Sequence, residues 1–167
     1  MTDWVWGGKT GRRSYKTPEE SFLARTSKKG GCIVWTGAIS SSGYGSIWDG
    51  KRVVQAHRYA WERAHGPIPA GMFVDHMCFA KECVNVDHLR LATPSGNSQN
   101  IRGAKSNSKT GIRGVSYHKS TGKWSATAQV EGKSIYELHN TIEEAEEAAI
   151  RLRREHLPYS QEVHQIG

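Results

Sequence analysis

Hydrophobic and polar residues alternate most clearly in the last third of the chain, where three short segments are predicted to be strands. These segments are residues 111–117, 123–130 and 133–139, and the turns between them contain Gly122 and Gly132. A period of two is typical of a strand with one packed face and one polar face. On the middle strand the apolar positions are Trp124, Ala126, Ala128 and Val130.

A helix is predicted to follow these strands. Thr141 and Glu144 have the spacing of a capping box, in which each side chain bonds the backbone of the other residue. Residues 111–160 are therefore predicted to form a three-stranded antiparallel sheet packed on one helix. The apolar stripe that would face the sheet recurs at helical spacing, at Ile142, Ala145, Ala149 and Leu152.

The middle of the chain predicts shorter elements, so the fold class expected is α+β. A strand at 32–37 is expected to turn at 40–43 and return as a second strand at 44–48. A helix from Ala56 to His65 ends at Gly66-Pro67, which is a strong stop signal. The other expected elements are strands at 52–55 and 73–76, a helix that begins at Val86 or Asp87, and short helices that begin at Thr17 and Thr93.

The charge of the chain favours a polyanionic partner. Its 167 residues include 23 Lys and Arg against 16 Asp and Glu, a formal net charge of +7. Residues 98–130 hold six basic side chains and no acidic one. Basic side chains that meet phosphates release condensed counterions, which makes nucleic acid the favoured partner.

The first 31 residues are predicted to be a basic lead-in, because they carry seven basic and three acidic side chains and are broken by paired glycines. The start of the chain lacks the pattern of a secretory signal, and no run of 18 apolar residues occurs. We therefore expect an intracellular protein without a membrane span, in which disulfides are disfavoured. Three cysteines, an odd number, then fit metal ligation better than a disulfide framework.

Cys78 and Cys83 are separated by four residues, and His88 follows after four more. Two thiolates and an imidazole at this spacing favour a tetrahedral structural zinc site, for which Cys32 is the remaining cysteine. Zinc would stabilise a small module with a thin core. The alternative is that the thiols are small buried hydrophobic groups and that His88 is an ordinary polar residue.

The segment Asp75-His76-Met-Cys78-(x4)-Cys83-Val-Asn85-Val-Asp-His88-Leu, with Asn97 after Thr93-Pro-Ser-Gly, resembles the HNH nucleases and, more narrowly, the His-Cys box homing endonucleases. Cys32-(x2)-Trp35-Thr-Gly37 upstream is also similar to that family. The match covers roughly residues 32–102. It implies a zinc-stabilised ββα-metal nuclease module over that range.

The resemblance also implies catalytic roles. His76 would be the general base that takes a proton from the attacking water, because a histidine pKa lies near working pH. Asn97 and Asp75 would hold one Mg²⁺, whose preferred ligands are oxygens, and Arg58 would stabilise the phosphate. Taken singly, His76 could be a hydrogen-bonded loop histidine and Asn97 a helix cap.

A second resemblance concerns the C-terminal segment. Arg113-Gly114-Val115, Gly122-Lys123-Trp124-Ser-Ala126 and Thr141-Ile-Glu-Glu-Ala145 are similar to the APETALA or ethylene-response-factor type of DNA-binding domain. That family places a three-stranded sheet in the major groove of DNA. The DNA-facing residues implied are Arg113, Ser116, His118, Lys123, Thr127, Gln129 and Lys133, and we expect Arg102 and Lys105, beside or within a basic linker at 103–110, to contact phosphates.

These observations together predict a site-specific endonuclease for double-stranded DNA, of the homing or phage mobile-element type. One active site would cut one strand, so a double-strand break would require a homodimer or a second event. Two alternatives remain: a non-catalytic zinc-stabilised DNA-binding regulator, and a protein that binds or cleaves RNA. If the source is a phage, the protein is expected in the cytoplasm of the bacterial host.

Overall fold

The structure is a computed structural model that describes residues 17–160. It is a mixed α and β fold with small sheets, as predicted. The helices are α1 (Pro18–Leu23), α2 (Ala56–His65), α3 (Pro94–Gln99) and α4 (Ile142–His156). The strands are β1 (Thr26–Lys29), β2 (Cys32–Trp35), β3 (Ser46–Trp48), β4 (Val53–Gln55), β5 (Phe73–His76), β6 (Leu89–Ala92), β7 (Val115–His118), β8 (Lys123–Val130) and β9 (Lys133–His139).

The strands of residues 17–160 pair into four antiparallel sheets. Three of them are two-stranded, β1 with β2, β3 with β4 and β5 with β6. The fourth has the order β7-β8-β9. Within the same residues no helix has the length and apolar character needed to cross a bilayer.

Residues 17–31 of the expected basic lead-in include the helix predicted to begin at Thr17, and residues 1–16 lie outside the described part of the chain. Thr17 caps α1, and Phe22 on that helix is 7% exposed in a core shared with Trp35 and Ile47. Gly30 and Gly31 both have positive φ and form a two-residue turn between β1 and β2. Paired glycines suit such turns because they adopt positive φ without steric cost.

Two other expected elements are corrected. The turn expected at 40–43 is present, with Ile39 bridged to Gly45, but the strand pairing expected between 32–37 and 44–48 is wrong, because β2 pairs with β1 and β3 pairs with β4. The helix expected from Val86 is a single 3₁₀ turn, Val86–His88, followed at once by β6. Leu89 to Ala92 pair instead with β5, which lies far away in sequence.

The C-terminal elements enclose a separate hydrophobic cluster. The capping box is complete. The backbone N–H of Glu144 donates to the side chain of Thr141, and the backbone N–H of Thr141 donates to the side chain of Glu144. The apolar stripe of α4 packs against the inner face of the β7-β8-β9 sheet, where Val115 and Ala126 are buried. The outer face of this sheet is not covered by another element of the described chain.

Candidate functional site

Four potential metal ligands meet at one end of the first core. Cys32 begins β2, Cys78 and Cys83 lie in the loop after β5, and His88 ends the 3₁₀ turn. Their ligand atoms all lie within 4.8 Å of one another. The Nδ1 atom of His88 is 3.5 Å from the sulfur of Cys32 and 3.6 Å from that of Cys83. In a tetrahedral zinc site, an imidazole nitrogen and a thiolate sulfur are about 3.5 Å apart, from bond lengths of about 2.0 and 2.3 Å.

Backbone hydrogen bonds hold this loop in place. Val84 donates to the Ile33 carbonyl at 2.7 Å, and Trp35 donates to the Glu82 carbonyl at 2.8 Å, so the segment around Cys83 pairs antiparallel with β2. The side chain of Asn85 accepts from the Asp87 backbone and caps the 3₁₀ turn. The donor set is therefore fixed by the fold.

The thiols depart from ordinary cysteine behaviour. A hydrogen bond from the Cys83 thiol lowers the pKa of Cys78 to about 5, while the same contact raises the pKa of Cys83. Burial raises the pKa of Cys32. One proton shared between neighbouring sulfurs favours a single thiolate, and a divalent cation would allow all three to ionise. The cluster can hold a zinc ion.

His76 lies at the end of β5, beside this cluster, and is 6% exposed. Its Nε2 is 2.9 Å from the carbonyl oxygen of Cys83. A carbonyl only accepts, so Nε2 carries the proton and Nδ1 keeps its lone pair. Burial lowers the pKa of His76, which favours the neutral ring that a general base requires.

Asp75, also buried, is the centre of a polar network. Its Oδ2 accepts from Arg90 Nε at 3.0 Å, and the amide of Asn100 donates to both of its carboxylate oxygens at 3.0 Å. The same amide donates to the carbonyl of His76 at 2.8 Å. Arg90 stands opposite Asp75 in the β5–β6 register. Asp75 is thus held in one orientation beside His76.

The other predicted catalytic residues lie on helices around this network. Asn97 is exposed on α3, one turn before Asn100. Arg58 is half-buried on α2, next to His57. The sequence did not single out His57, Arg90 or Asn100. Of these three, only His57 had a usable sequence signal: it lies three residues before Ala60, on the side of α2 that was bound to be buried.

His57 is 3% exposed and its ring centroid lies 4.6 Å from that of His76. The ring centroid of Tyr44 lies 5.1 Å from that of His57 and 5.9 Å from that of His76, so the three rings pack together. The Nδ1 atom of His57 has no hydrogen-bond partner among the described residues. Burial, together with the nearby His76 and Arg58, lowers the pKa of His57 to about 3.

Replacing His57 by Asn is expected to flatten the acid side of the stability profile. The folded-state pKa of about 3 lies below the ordinary 6.5, so the unfolded chain binds a proton first and stability falls as pH drops from 6.5 towards 3. At pH 4.5 this corresponds to about 2 to 3 kcal/mol of the free energy of unfolding. Urea unfolding at pH 7 and 4.5 measures it, with exposed His65→Asn as control. Equal acid losses in wild type and His57→Asn would contradict the assignment.

The residues predicted to face DNA divide between the two sides of the C-terminal sheet. Ser116 pairs with Ser125 and Thr127 with Tyr136, so these four share the outer face, away from the buried Ala126. Strand alternation places nine side chains on this outer face: Ser116, His118, Lys123, Ser125, Thr127, Gln129, Ser134, Tyr136 and Leu138.

Two predicted DNA-facing residues lie elsewhere. Lys133 has the strand parity of Glu137, which is bonded to Arg151 of α4, and is therefore on the helix side. Arg113 donates to the carbonyls of Ile101 and Gln99 at 2.7 and 2.8 Å, and so binds the end of α3. The sequence also missed Tyr136, which is 66% exposed on the outer face. Arg102 and Lys105 are both exposed.

Comparison with known proteins gives a family. The model of the HNH endonuclease family matches residues 54–99, a range that includes Asp75, His76 and Asn97. The gene 5.3 protein of Enterobacteria phage T3 is 33% identical over 84 residues, which cover 50% of this chain and 79% of that protein. The chain belongs to the HNH endonuclease family.

Other relatives come from Escherichia phage T7. Protein 7.7 is 43% identical over 70 residues and protein 3.8 is 42% identical over 77, covering 42% and 46% of this HNH protein. The chain spans 54% and 63% of the length of these two relatives. No solved structure matches it significantly. The family match ends at residue 99, and the comparisons give no evidence for the APETALA-type domain expected after it.

Proposed function

We propose that this protein is a magnesium-dependent endonuclease for double-stranded DNA, with His76 as general base. The observation that carries the proposal is the buried His76 ring, whose Nε2 is fixed by the Cys83 carbonyl. That bond leaves Nδ1 as the basic nitrogen. The carboxylate of Asp75, which Asn100 holds beside His76, supplies the kind of oxygen ligand that Mg²⁺ prefers.

In this mechanism Nδ1 of His76 takes a proton from a water as its oxygen attacks phosphorus, and the bond to the 3′ oxygen breaks. Asn97 and Asp75 would hold the divalent ion, which neutralises charge on the departing oxygen. The carboxylate fits this role because, among residues 17–160, Oδ1 accepts a hydrogen bond from Asn100 alone, which leaves it a further lone pair. Arg58, which has no ion pair among residues 17–160, would contact the phosphate.

The thiolate and imidazole cluster would hold a structural zinc ion. Cys32, Cys78, Cys83 and His88 are soft and borderline ligands, whereas Asp75 and Asn97 are hard ones. The two metals are therefore separated by ligand chemistry. We assign the nuclease module to residues 17–102, which extends the expected 32–102 by the elements that complete its core.

The outer face of the β7-β8-β9 sheet would read DNA in the major groove, in the manner of an APETALA-type domain. Its side chains are mainly hydroxyls and amides, which bond base edges, with Lys123 as its basic residue. The exposed Arg102 and Lys105 of the adjoining segment would contact phosphates. The relatives are phage proteins, which supports action in the cytoplasm of a bacterial host. We propose a nuclease of the homing or mobile-element type that nicks DNA unless it dimerises.

Nicking of a supercoiled plasmid tests the activity. Mg²⁺ should convert supercoiled DNA to the open circle, and EDTA should stop the conversion. Protein that binds duplex DNA but leaves it intact at every Mg²⁺ and Mn²⁺ concentration would favour the regulator. Stronger competition by duplex RNA than by duplex DNA would favour the RNA alternative, because the deep, narrow A-form major groove does not admit the sheet.

Two lysines at opposite ends of one hairpin test the orientation of the sheet. Lys123→Ala, on the outer face, should weaken binding to mixed-sequence duplex DNA several-fold and reduce the salt slope of log K by about one. Lys133→Ala, on the helix side, is the matched control and should bind as wild type does. Fluorescence anisotropy at several salt concentrations measures both. If Lys133→Ala weakened binding more than Lys123→Ala, the other face would be the DNA-binding one.

A further inference from the structure

Tyr159 follows α4 near the end of the described chain, yet it contacts the nuclease module. Its carbonyl oxygen accepts from Arg90 Nη2 at 2.5 Å, and the guanidinium carbon of Arg90 lies 4.8 Å from its ring centroid. Its backbone N–H donates to Gln99 Oε1 at 3.2 Å. Tyr159 therefore joins β6 to α3.

The ring of Tyr159 fits against α3 because residue 96 is glycine. A Cβ at Gly96 would lie 2.9 Å from two ring carbons of Tyr159, closer than real Cβ atoms approach. Gly96 itself is buried, and its N–H is bonded by the N-cap side chain of Thr93. A glycine inside a helix costs stability, and here it makes room for the ring.

The contacts of Tyr159 continue into the proposed active site. Arg90 donates from Nε to Asp75, and one further guanidinium nitrogen, Nη1, has no hydrogen-bond partner among the described residues. The orientation of Arg90 thus depends on Asp75 and Tyr159. The helix against which the ring packs carries Asn97 and ends at Asn100, which bonds Asp75.

We propose that Tyr159 is a positioning residue for cleavage, through which the segment after α4 completes the nuclease site. The inference rests on the proposed function. The ring packs against Arg90 on one side and against α3 on another. Arg90 orients the proposed metal ligand Asp75, and α3 carries the other, Asn97. Residues that orient metal ligands typically change metal affinity or activity by about 10- to 100-fold when replaced. Tyr159 then joins Arg113, which binds the end of α3, in linking the C-terminal elements to the cleavage site.

The test compares full-length Tyr159→Ala, which removes the ring, with Tyr159→Phe, which keeps it; both variants keep the main-chain carbonyl that accepts from Arg90. Plasmid nicking is measured as kcat, KM and the Mg²⁺ concentration for half-maximal rate, well below the melting temperature and with zinc content determined. Tyr159→Ala should lower kcat about tenfold or more and raise the Mg²⁺ requirement, with KM for DNA and zinc content unchanged. Gly96→Ala should have the same effect, since its Cβ displaces the ring. Tyr159→Phe should behave as wild type.

Wild-type kcat and Mg²⁺ requirement in Tyr159→Ala would overturn the inference and leave the endonuclease assignment intact. A loss confined to KM for DNA would also overturn it, because it would place Tyr159 in binding. Wild-type protein that nicks no DNA would overturn both. If Tyr159→Ala does not fold, Tyr159→Leu, which fills the space without the aromatic face, takes its place with the same expectations.

Discussion

His76→Ala should abolish nicking while leaving DNA binding unchanged. A positioned general base contributes about 10²- to 10⁴-fold to the rate, so the rate constant for nicking should fall by about three orders of magnitude. The loss is expected in kcat because, in the proposed mechanism, His76 acts on the attacking water and does not contact the DNA bases. Single-turnover nicking under excess protein measures the cleavage step directly, and anisotropy measures binding.

The matched control for this substitution is His65→Ala, at an exposed histidine in the last turn of α2. It should cleave as wild type does. Because His76 is buried, zinc content and melting temperature must be compared alongside the rate. A His76→Ala protein that binds DNA, retains zinc and still nicks at the wild-type rate would remove His76 from the mechanism.

The sequence predicted the four α-helices well, because the residues that begin and end a helix are adjacent to it in the chain. α2 runs from Ala56 to His65 as expected, since Gly66-Pro67 stops it. α4 begins at the capping box of Thr141. The strand pairs in the first core were harder. Whether Gly30-Gly31 is a break or a hairpin turn depends on what β2 pairs with, and this is not visible in local sequence.

The site shows the same division between local and distant information. The spacing of Cys78, Cys83 and His88 predicted a cluster, and the structure brings Cys32 to it. Arg90 and Asn100 carried no signal, because their roles depend on partners 15 and 25 residues away from them, at Asp75. Asp75 was expected as a metal ligand alone and is also the acceptor of a fixed network.

The face of the C-terminal sheet could be predicted where alternation continues through a strand. Thr127 and Gln129 lie on the outer face as expected, because β8 is regular over its eight residues. Lys133 was placed on the wrong face. The two-residue turn at 131–132 pairs Lys133 with Val130, so the even-numbered residues of β9 face outwards, whereas on β8 the odd-numbered ones do. Arg113 precedes β7, so strand alternation does not apply to it.

Removal of zinc should unfold the nuclease module and leave the C-terminal sheet and helix folded. Structural zinc in small domains contributes about 10 kcal/mol or more of apparent binding free energy, as much as the whole stability of a typical domain. Cys83→Ser should act in the same way as chelation, since Cys83 is fully buried within the cluster. Met77→Leu, beside the cluster but outside it, is the control.

Hydrogen exchange separates the two regions of the chain in this experiment. After chelation, exchange should become fast in β2, β5 and β6 and stay slow in β8 and α4, because these two groups belong to different hydrophobic clusters. Nicking should return when Zn²⁺ is added back with Mg²⁺, and not with Mg²⁺ alone. Mg²⁺ cannot replace zinc among three sulfurs and an imidazole, because it prefers oxygen ligands. Slow exchange throughout β2 and β5 in zinc-free protein would mean that the hydrophobic core suffices, and that the four ligands serve some purpose other than folding.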